Sequence, residues 1–403
     1  MSKETKDPEC KDNILNQTFF NKYHCISKIG EGSFGNIYKA SYNGKYYALK
    51  FENIKKSNLL EKEAVIMNYL KGPNIPNVNY YGSTKDYNIL VMKLLGKNLE
   101  TFLEEKKKFS LKTVCMIGYQ FINILEYLHN KHIIHRDIKP DNFVVGLNNF
   151  SHNIYLLDFG LSKKYRSSKT LKQIPFMNID KIIGTVRYNS INANKGFEQS
   201  PKDDLESAGY VLIYLIKGKL PWQGIPANNK KEKYKKILRM KIELTAHKLC
   251  EGMPEEFVKF IDYTRNLYYY EQPNYEMLKN LFISMLNRFN YIFDYIYDWT
   301  TPEEKIMRTN LSQNAKTNIS STNYEENLQN RNKKSICLSL ENNNSDMLLT
   351  VNNKNNLNEF EKNEHTNDND NEEAIIFSKR NDYLETIVNE NEEVCCTSGC
   401  KIF

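Results

Sequence analysis

The amino-acid sequence predicts an α+β fold with two lobes, a small β-rich N-terminal lobe and a larger helical C-terminal lobe, followed by a disordered tail. Three observations support this prediction. Strand-like alternation of apolar and polar residues dominates up to about residue 92, and helical periodicity dominates residues 97–299. Residues 300–403 are rich in Asn and in charged side chains, and they contain too little apolar surface to offset the entropy of ordering.

The N-terminal lobe begins with three predicted antiparallel strands in residues 23–51. Asn43 and Gly44 separate the second strand from the third, and this pair favours a two-residue hairpin turn. Helical spacing follows in residues 58–70 and stops before Gly72 and Pro73. Residues 87–95 return to a strand pattern, so the join between the lobes is predicted at 93–96.

The C-terminal lobe is predicted to be built around a long apolar helix in residues 111–132. Its apolar stripe comprises Val114, Ile117, Phe121, Ile124, Leu125 and Leu128. Further helices are predicted at 203–217, 230–239, 254–267 and 275–287.

Charge divides the chain in the same way as composition. Residues 1–300 carry 45 Lys and Arg against 31 Asp and Glu, a net charge of +14, whereas residues 301–403 carry 11 against 18, a net charge of −7. We expect acidic partners for the basic body, its own tail among them, although a solvated surface would have the same charge. The polar N-terminus and the absence of a run of about 18 apolar residues predict a cytoplasmic protein without a signal peptide or membrane span.

Gly30, Gly32 and Gly35 form the pattern G-x-G-x-x-G, which alone also fits a dinucleotide-binding turn. A dinucleotide turn leads into a helix, with an acidic residue about 20 positions further on. Here a strand containing the β-branched Ile37 follows, and position 50 is a lysine. A glycine-rich hairpin with a lysine on the third strand predicts a site for a nucleoside triphosphate.

Lys50 needs an acidic partner to hold its side chain, and the next helix offers Glu61 and Glu63. We favour Glu63, which falls one turn before Met67 on a face that can turn toward the strands. Spacing alone leaves Glu61 as an alternative.

The segment HRDIKPDN contains the residue types that phosphoryl transfer requires. Asp137 can orient an attacking hydroxyl and accept its proton, and Lys139 supplies a cation near the transferred phosphate. Asn142 offers an amide oxygen as a metal ligand, and Asp158 in LLDFG offers a carboxylate for magnesium.

These motifs, in this order, resemble those of eukaryotic protein kinases, and Lys139 resembles the lysine of the serine/threonine class. GLSKKYR after Asp158 and GTVRYNSIN in place of Ala-Pro-Glu are similar to the casein kinase 1 family over roughly residues 20–300. The resemblance implies a bilobal kinase domain at 23–299, with N-lobe 23–92, hinge 93–96 and C-lobe 97–299. Residues 1–22 are then an N-terminal extension and 300–403 the tail.

The resemblance also implies a set of functional residues. ATP is expected to contact the glycine-rich strands, the hinge and the lysine pair: Ile29, Gly30, Gly32, Gly35, Ile37, Ala48, Lys50, Glu63, Met92 and Leu95. Met92 resembles the gatekeeper, and Asp204 resembles a buried aspartate that braces the catalytic loop. Lys93 stands where the family usually has glutamate, which changes the charge of the hinge.

Members of this family favour acidic or already phosphorylated substrates. Arg187, Gly224 and Lys233 match positions that resemble the family's phosphate-binding pocket, although Pro226 replaces a residue that is commonly basic. Further cations follow Asp158, namely Lys163, Lys164, Arg166, Lys169 and Lys172. All of these could instead be ordinary solvated cations.

The sequence therefore predicts a monomeric serine/threonine protein kinase that uses ATP and Mg²⁺. A pseudokinase scaffold is one alternative, but such proteins typically lose the lysine, the base or a metal ligand, and all are present here. A nucleic-acid-binding protein is another, and no recognition motif supports it.

The last nine residues contain Cys395, Cys396 and Cys400. CKIF at the end fits a prenylation signal, with Phe403 pointing toward geranylgeranylation. Because one lipid gives only marginal binding, palmitoylation of the adjacent pair would supply the second signal needed for attachment to the cytoplasmic face of a membrane. Unmodified thiols are the alternative, whereas a metal site would lack histidine and a fourth ligand.

Overall fold

A computed structural model describes residues 14–32, 35–55, 59–306 and 308. Residues 14–300 belong to one compact unit, and the described residues from 301 onward belong to a second. The α+β fold with two lobes is confirmed. The disorder predicted for the tail concerns residues that lie almost entirely outside the described ranges.

The N-terminal lobe is an antiparallel sheet of six strands with one helix against it. Its elements are β1 (Thr18–Phe19), β2 (Tyr23–Gly32), β3 (Gly35–Tyr42), β4 (Lys45–Asn53), α1 (Leu59–Leu70), β5 (Val78–Ser83) and β6 (Tyr87–Lys93). In the described part of the chain the strand order is β1-β2-β3-β4-β6-β5. Asn43 and Gly44 form the predicted turn between β3 and β4, and both have a positive φ, of 46° and 71°.

The residues just before the predicted start of the kinase domain pack onto this sheet. Ile14 and Phe19 are buried, and β1 pairs with β2. The ring of Phe19 meets that of Phe51 edge to face, with 4.9 Å between centroids. Residues 14–22 therefore contribute to the core of the N-terminal lobe.

The C-terminal lobe is mainly helical. Its helices are α2 (Leu99–Lys106), α3 (Leu111–Asn130), α4 (Ile191–Lys195), α5 (Pro201–Lys217), α6 (Lys230–Glu243), α7 (Ala246–Leu249), α8 (Glu255–Asn266) and α9 (Tyr275–Arg288). Short strands lie beside the cleft: β7 (Ile133–Ile134), β8 (Phe143–Val145), β9 (Ile154–Leu156) and β10 (Lys163–Lys164).

Helix α3 lies at the centre of this lobe and packs against α5 and α9. Every residue of its predicted apolar stripe is buried, so that prediction is confirmed. Helix α5 begins at Pro201, two residues before the predicted start, because Ser200 and Asp203 form a capping box at its N-terminus. The sequence did not predict the strands β1, β5, β7, β8 and β10 or the helices α2, α4 and α7.

The chain after α9 folds back onto α2 and α3. The Trp299 ring stacks on Phe102, with 4.7 Å between centroids. The Asp298 carboxylate accepts hydrogen bonds from the Ser110 amide, at 2.6 Å, and from the Ser110 hydroxyl, at 2.7 Å. Because Ser110 is the N-cap of α3, this segment fixes the start of the central helix.

Among the described residues, no helix is long and apolar enough to cross a membrane. The described cysteines, Cys25, Cys115 and Cys250, are free and buried.

Candidate active site

Lys50 projects from β4 into the cleft between the lobes. Its ammonium group lies 2.6 Å from a carboxylate oxygen of Glu63 on α1 and 2.9 Å from one of Asp158. Of the two glutamates that the spacing allowed, Glu63 is the one that faces the sheet, and its side chain is buried. The lysine thus connects the N-terminal helix with the aspartate that was predicted to bind metal.

This buried triad sets the charge of the cleft. Burial disfavours the ammonium of Lys50, but Glu63 and Asp158 outweigh that effect and raise its pKa. Burial also opposes the ionised form of Asp158, yet Lys50 holds the pKa of this carboxyl below its usual value. Burial raises the pKa of Glu63 against the pull of Lys50. Lys50 and Asp158 are therefore both charged at neutral pH.

The glycine-rich hairpin lies beside Lys50. Gly30 on β2 pairs with Ile37 on β3, and Ile37 pairs in turn with Lys50 on β4. A Cβ atom at Gly35 would lie 1.7 Å from the backbone carbonyl oxygen of Phe51, so only glycine fits there. Residues 33 and 34, between Gly32 and Gly35 in the sequence, lie outside the described ranges.

Four of the residues predicted to contact ATP lie on β2, β4, β6 and the connection that follows β6. Ala48 and Met92 are buried cross-strand neighbours. Ile29 is 48% exposed and stands at an irregularity in the pairing of β2 with β3. Leu95 is partly exposed in the connection between the lobes. Lys93 is exposed, and its ammonium lies 4.1 Å from the centre of the Phe150 ring, which gives the unusual hinge cation an aromatic partner.

The Asp137 carboxylate is held from both sides. One oxygen accepts a hydrogen bond from the Lys139 ammonium at 2.7 Å, and the other accepts one from the Thr185 hydroxyl, also at 2.7 Å. Burial works against the charge of Lys139, but Asp137, followed by Asp158, raises its pKa. A carboxylate fixed in this way is suited to orient a hydroxyl nucleophile.

Asn142 and Asp158 stand at one end of the hairpin formed by β8 and β9. The Leu157 amide donates to the Asn142 carbonyl oxygen at 2.9 Å, which brings the two residues next to each other. The Asn142 side-chain nitrogen donates to the Asp137 carbonyl oxygen at 2.8 Å. An amide oxygen and a carboxylate remain as donors, and such oxygens suit Mg²⁺ that also binds phosphates.

Asp204, at the N-terminus of α5, binds the backbone of the loop that carries Asp137. Its carboxylate accepts hydrogen bonds from the backbone amides of His135, at 2.7 Å, and Arg136, at 2.9 Å. It also accepts one from the His129 ring at 3.0 Å. Burial opposes the charge of Asp204, but these donors outweigh it and lower its pKa.

The geometry agrees with a comparison against protein families. The family model described as the protein kinase domain matches residues 23–283, which is more than half of the chain. The chain belongs to the protein kinase family. Protein kinases in general use ATP and Mg²⁺, and the residues of this kinase that face the cleft fit both.

The sequence did not single out every residue that holds the catalytic centre of the kinase. Thr185 contacts Asp137, and Gly184 before it has a φ of 91°. A Cβ atom at Gly184 would lie 2.3 Å from the Arg136 carbonyl oxygen, so glycine lets the two segments meet. Both residues lie in GTVRYNSIN, but nothing in that pattern shows which hydroxyl reaches the base.

The residues predicted to form a phosphate pocket come from separate segments of the C-terminal lobe. Arg187 is exposed, and its carbonyl oxygen accepts a hydrogen bond from the indole of Trp222, two residues before Gly224, at 2.8 Å. A Cβ atom at Gly224 would meet no atom within 4 Å. Lys233 is exposed on α6, and in the described part of the chain no hydrogen bond joins its side chain to the other two. The grouping of all three stays a prediction.

The cations after Asp158 are not equivalent. Lys163 lies 3.1 Å from the Glu198 carboxylate, so its charge already has a partner. Lys169 and Lys172 are exposed. The cysteines predicted to carry lipid, Cys395, Cys396 and Cys400, lie outside the described residues, and their modification stays a prediction.

Proposed function

We propose that this kinase transfers the γ-phosphate of ATP to serine or threonine hydroxyls of proteins, with a preference for acidic or phosphorylated substrates of the casein kinase 1 type. The observation that carries the proposal is the Asp137 carboxylate held between Lys139 and Thr185. Lys139 contacts this carboxylate, and its position two residues after the base resembles that of the serine/threonine class, so the acceptor is expected to be an aliphatic hydroxyl. The side chains of serine and threonine carry such hydroxyls.

Each residue has a separate task in this reaction. Asp137 orients the substrate hydroxyl and accepts its proton, while Lys139 keeps a positive charge beside the transferred group. Lys50, fixed by Glu63, holds the phosphates of the nucleotide. Asn142 and Asp158 would hold Mg²⁺, which neutralises phosphate charge when it is bound.

The preference for acidic substrates rests on charge and exposure. Residues 1–300 have a net charge of +14, and Arg187 is exposed on the same turn as Thr185. A guanidinium can bind a phosphate or a carboxylate through two parallel hydrogen bonds. Gly224 leaves the neighbouring surface open, and Lys233 on α6 offers a second cation.

Matched peptides test the proposal. They would carry a serine, threonine or tyrosine acceptor, each with and without a phosphoserine three residues before it. We expect transfer to serine and threonine only and a lower KM for the phosphorylated peptides. Asp137→Asn should reduce kcat by orders of magnitude and leave ATP binding largely intact.

The phosphate pocket needs its own variants. Replacing Arg187 and Lys233 together by Ala should raise KM for phosphorylated peptides much more than for plain ones, and the difference should shrink at high salt. Lys235→Ala, an exposed lysine of the same helix, is the matched control. Equal losses on both peptide types would reject the pocket. Nucleotide binding without any transfer by the unaltered chain would favour a scaffold.

A further inference from the structure

Lys241, on the last turns of α6, is a fully buried cation outside the catalytic cleft. Its ammonium donates hydrogen bonds to the carbonyl oxygens of Val186, at 2.9 Å, and Asn189, at 2.5 Å. It also lies 4.9 Å from the centre of the Tyr210 ring and 5.0 Å from that of Trp222. The lysine therefore inserts under a turn of the chain and contacts its backbone from inside the lobe.

The turn in question is 185–189, and buried donors hold several of its carbonyl groups. Those of Val186 and Asn189 bind Lys241, and that of Arg187 binds the Trp222 indole at 2.8 Å. The Thr185 carbonyl accepts from the amides of residues 188 and 189 within the turn, both at 2.9 Å. The Val186 carbonyl also accepts a hydrogen bond from the Asn194 side chain at 3.2 Å, so α6, Trp222 and Asn194 together fix the conformation of the turn.

Two side chains of this turn serve the reaction. The Thr185 hydroxyl donates to the Asp137 carboxylate at 2.7 Å. Arg187, an exposed residue whose guanidinium donates to the Tyr188 hydroxyl at 3.4 Å, is the predicted phosphate ligand. Any shift of the turn would move both groups at once. An error of about 1 Å in a catalytic arrangement can reduce the rate about 100-fold.

Burying an ammonium group costs free energy, because the charge loses its hydration. Burial lowers the pKa of Lys241 to about 7, with Glu206 on α5 raising it and Arg265 on α8 lowering it further. Tyr210, which lies over the ammonium, has a pKa raised well above its usual value by burial. A methionine would fill the same volume without this penalty but could not bind the two carbonyl groups. The hydrogen bonds that the amine donates therefore explain why a lysine occupies this buried position.

We propose that Lys241 is a positioning residue for phosphoryl transfer, which holds the turn 185–189 so that Thr185 meets the base and Arg187 faces the substrate. The part that concerns Arg187 rests on the proposed function. The part that concerns Thr185 and Asp137 requires only that the chain is an active kinase.

The test compares Lys241→Met with the unaltered full chain. We expect kcat/KM for a peptide substrate to fall at least tenfold, while KM for ATP changes less than twofold because the turn 185–189 contains none of the residues expected to contact ATP. Lys241→Gln, whose amide retains hydrogen-bond donors, should recover part of the loss. Trp222→Phe removes the donor to Arg187 and keeps an aromatic ring, so it should raise KM for the phosphorylated peptide even if Lys241→Met does not fold.

Two controls on the same helix separate positioning from stability. Ile237→Ala removes a buried apolar side chain and leaves both lysine hydrogen bonds in place, and Lys235→Met repeats the substitution at an exposed site. At a temperature where all variants are folded by circular dichroism, both controls should keep peptide kcat/KM within twofold.

Lys241→Met with unchanged peptide kinetics, or with a loss matched by Ile237→Ala, would overturn the proposal. An unaltered chain that shows no preference for phosphorylated peptides would instead reject the substrate part of the proposed function. The effect of Lys241→Met on kcat with plain peptides would still decide the role of the lysine.

Discussion

The bond network of Asp204 makes a quantitative prediction for Asp204→Ala. This substitution leaves the backbone amides of His135 and Arg136 without their acceptor in a region closed to water, and it removes the partner of the His129 ring. Each buried donor without a partner costs about 1–3 kcal/mol, so the total for the three donors is about 3–9 kcal/mol. That is a large part of the roughly 5–15 kcal/mol by which domains are stable.

The same change should reduce catalysis. The two amides directly precede Asp137, so losing their acceptor releases the loop that carries the base. We expect the midpoint of thermal unfolding to fall by about 6–18 °C, at about 2 °C per kcal/mol for a domain of this size. We expect kcat to fall at least tenfold in the temperature range where the variant is folded, with a smaller change in KM for ATP.

Calorimetry and steady-state kinetics on the full chain would measure both effects. Asp262→Ala, at an exposed position on α8, is the matched control and should change neither. Because the pKa of Asp204 is lowered in the fold, its contribution is present above the unfolded value of about 3.9 and is lost as pH falls through the folded value. The difference in the free energy of unfolding between the unaltered chain and Asp204→Ala should therefore become smaller at acid pH. Equal midpoints at pH 7 together with kcat within twofold would refute the assigned role.

Four further predictions concern other parts of the chain. Lys50→Met should abolish most transfer and weaken ATP binding in a fluorescence titration, since the variant loses the cation between two carboxylates. Lys93→Glu should change KM for ATP less than twofold, because the exposed side chain rests on Phe150 and leaves the hinge backbone in place. A chain ending after residue 288 should unfold at a clearly lower temperature than one ending at 300, since it lacks Trp299 and it lacks Asp298, which binds the N-cap residue of α3. Lys241 has a pKa of about 7 in the fold and about 10.4 in the unfolded chain, so between these values the unfolded chain binds the extra proton. Stability through this residue should rise from pH 7 to pH 9, and unfolding midpoints of Lys241→Met should lack that rise.

Several features of this protein could be predicted from its sequence because they depend on local chemistry. Asn43 and Gly44 tolerate a positive φ, so they predicted their hairpin turn without knowledge of anything distant. The stripe of α3 has helical spacing, and burial of such a stripe is the main reason that a helix forms in a protein. The order of Lys50, Asp137 and Asp158 predicted the reaction because phosphoryl transfer needs these residue types in one cleft.

The tertiary structure decided the contacts between segments far apart in the chain. Glu61 and Glu63 lie on the same helix, and only the packing of α1 against the sheet made Glu63 the partner of Lys50. Lys163 looked like a ligand for anions until the fold placed Glu198 beside it.

Lys241 is the clearest example of a residue whose contacts could not be predicted from the sequence. In the sequence it is one of several lysines in α6, with the composition of an exposed helix face. Its burial depends on Tyr210, Trp222 and the carbonyl groups of 186 and 189, which reach it from other parts of the chain. Spacing along one segment determines which face of an element is apolar, but the burial of one charged side chain depends on what every neighbouring segment places around it.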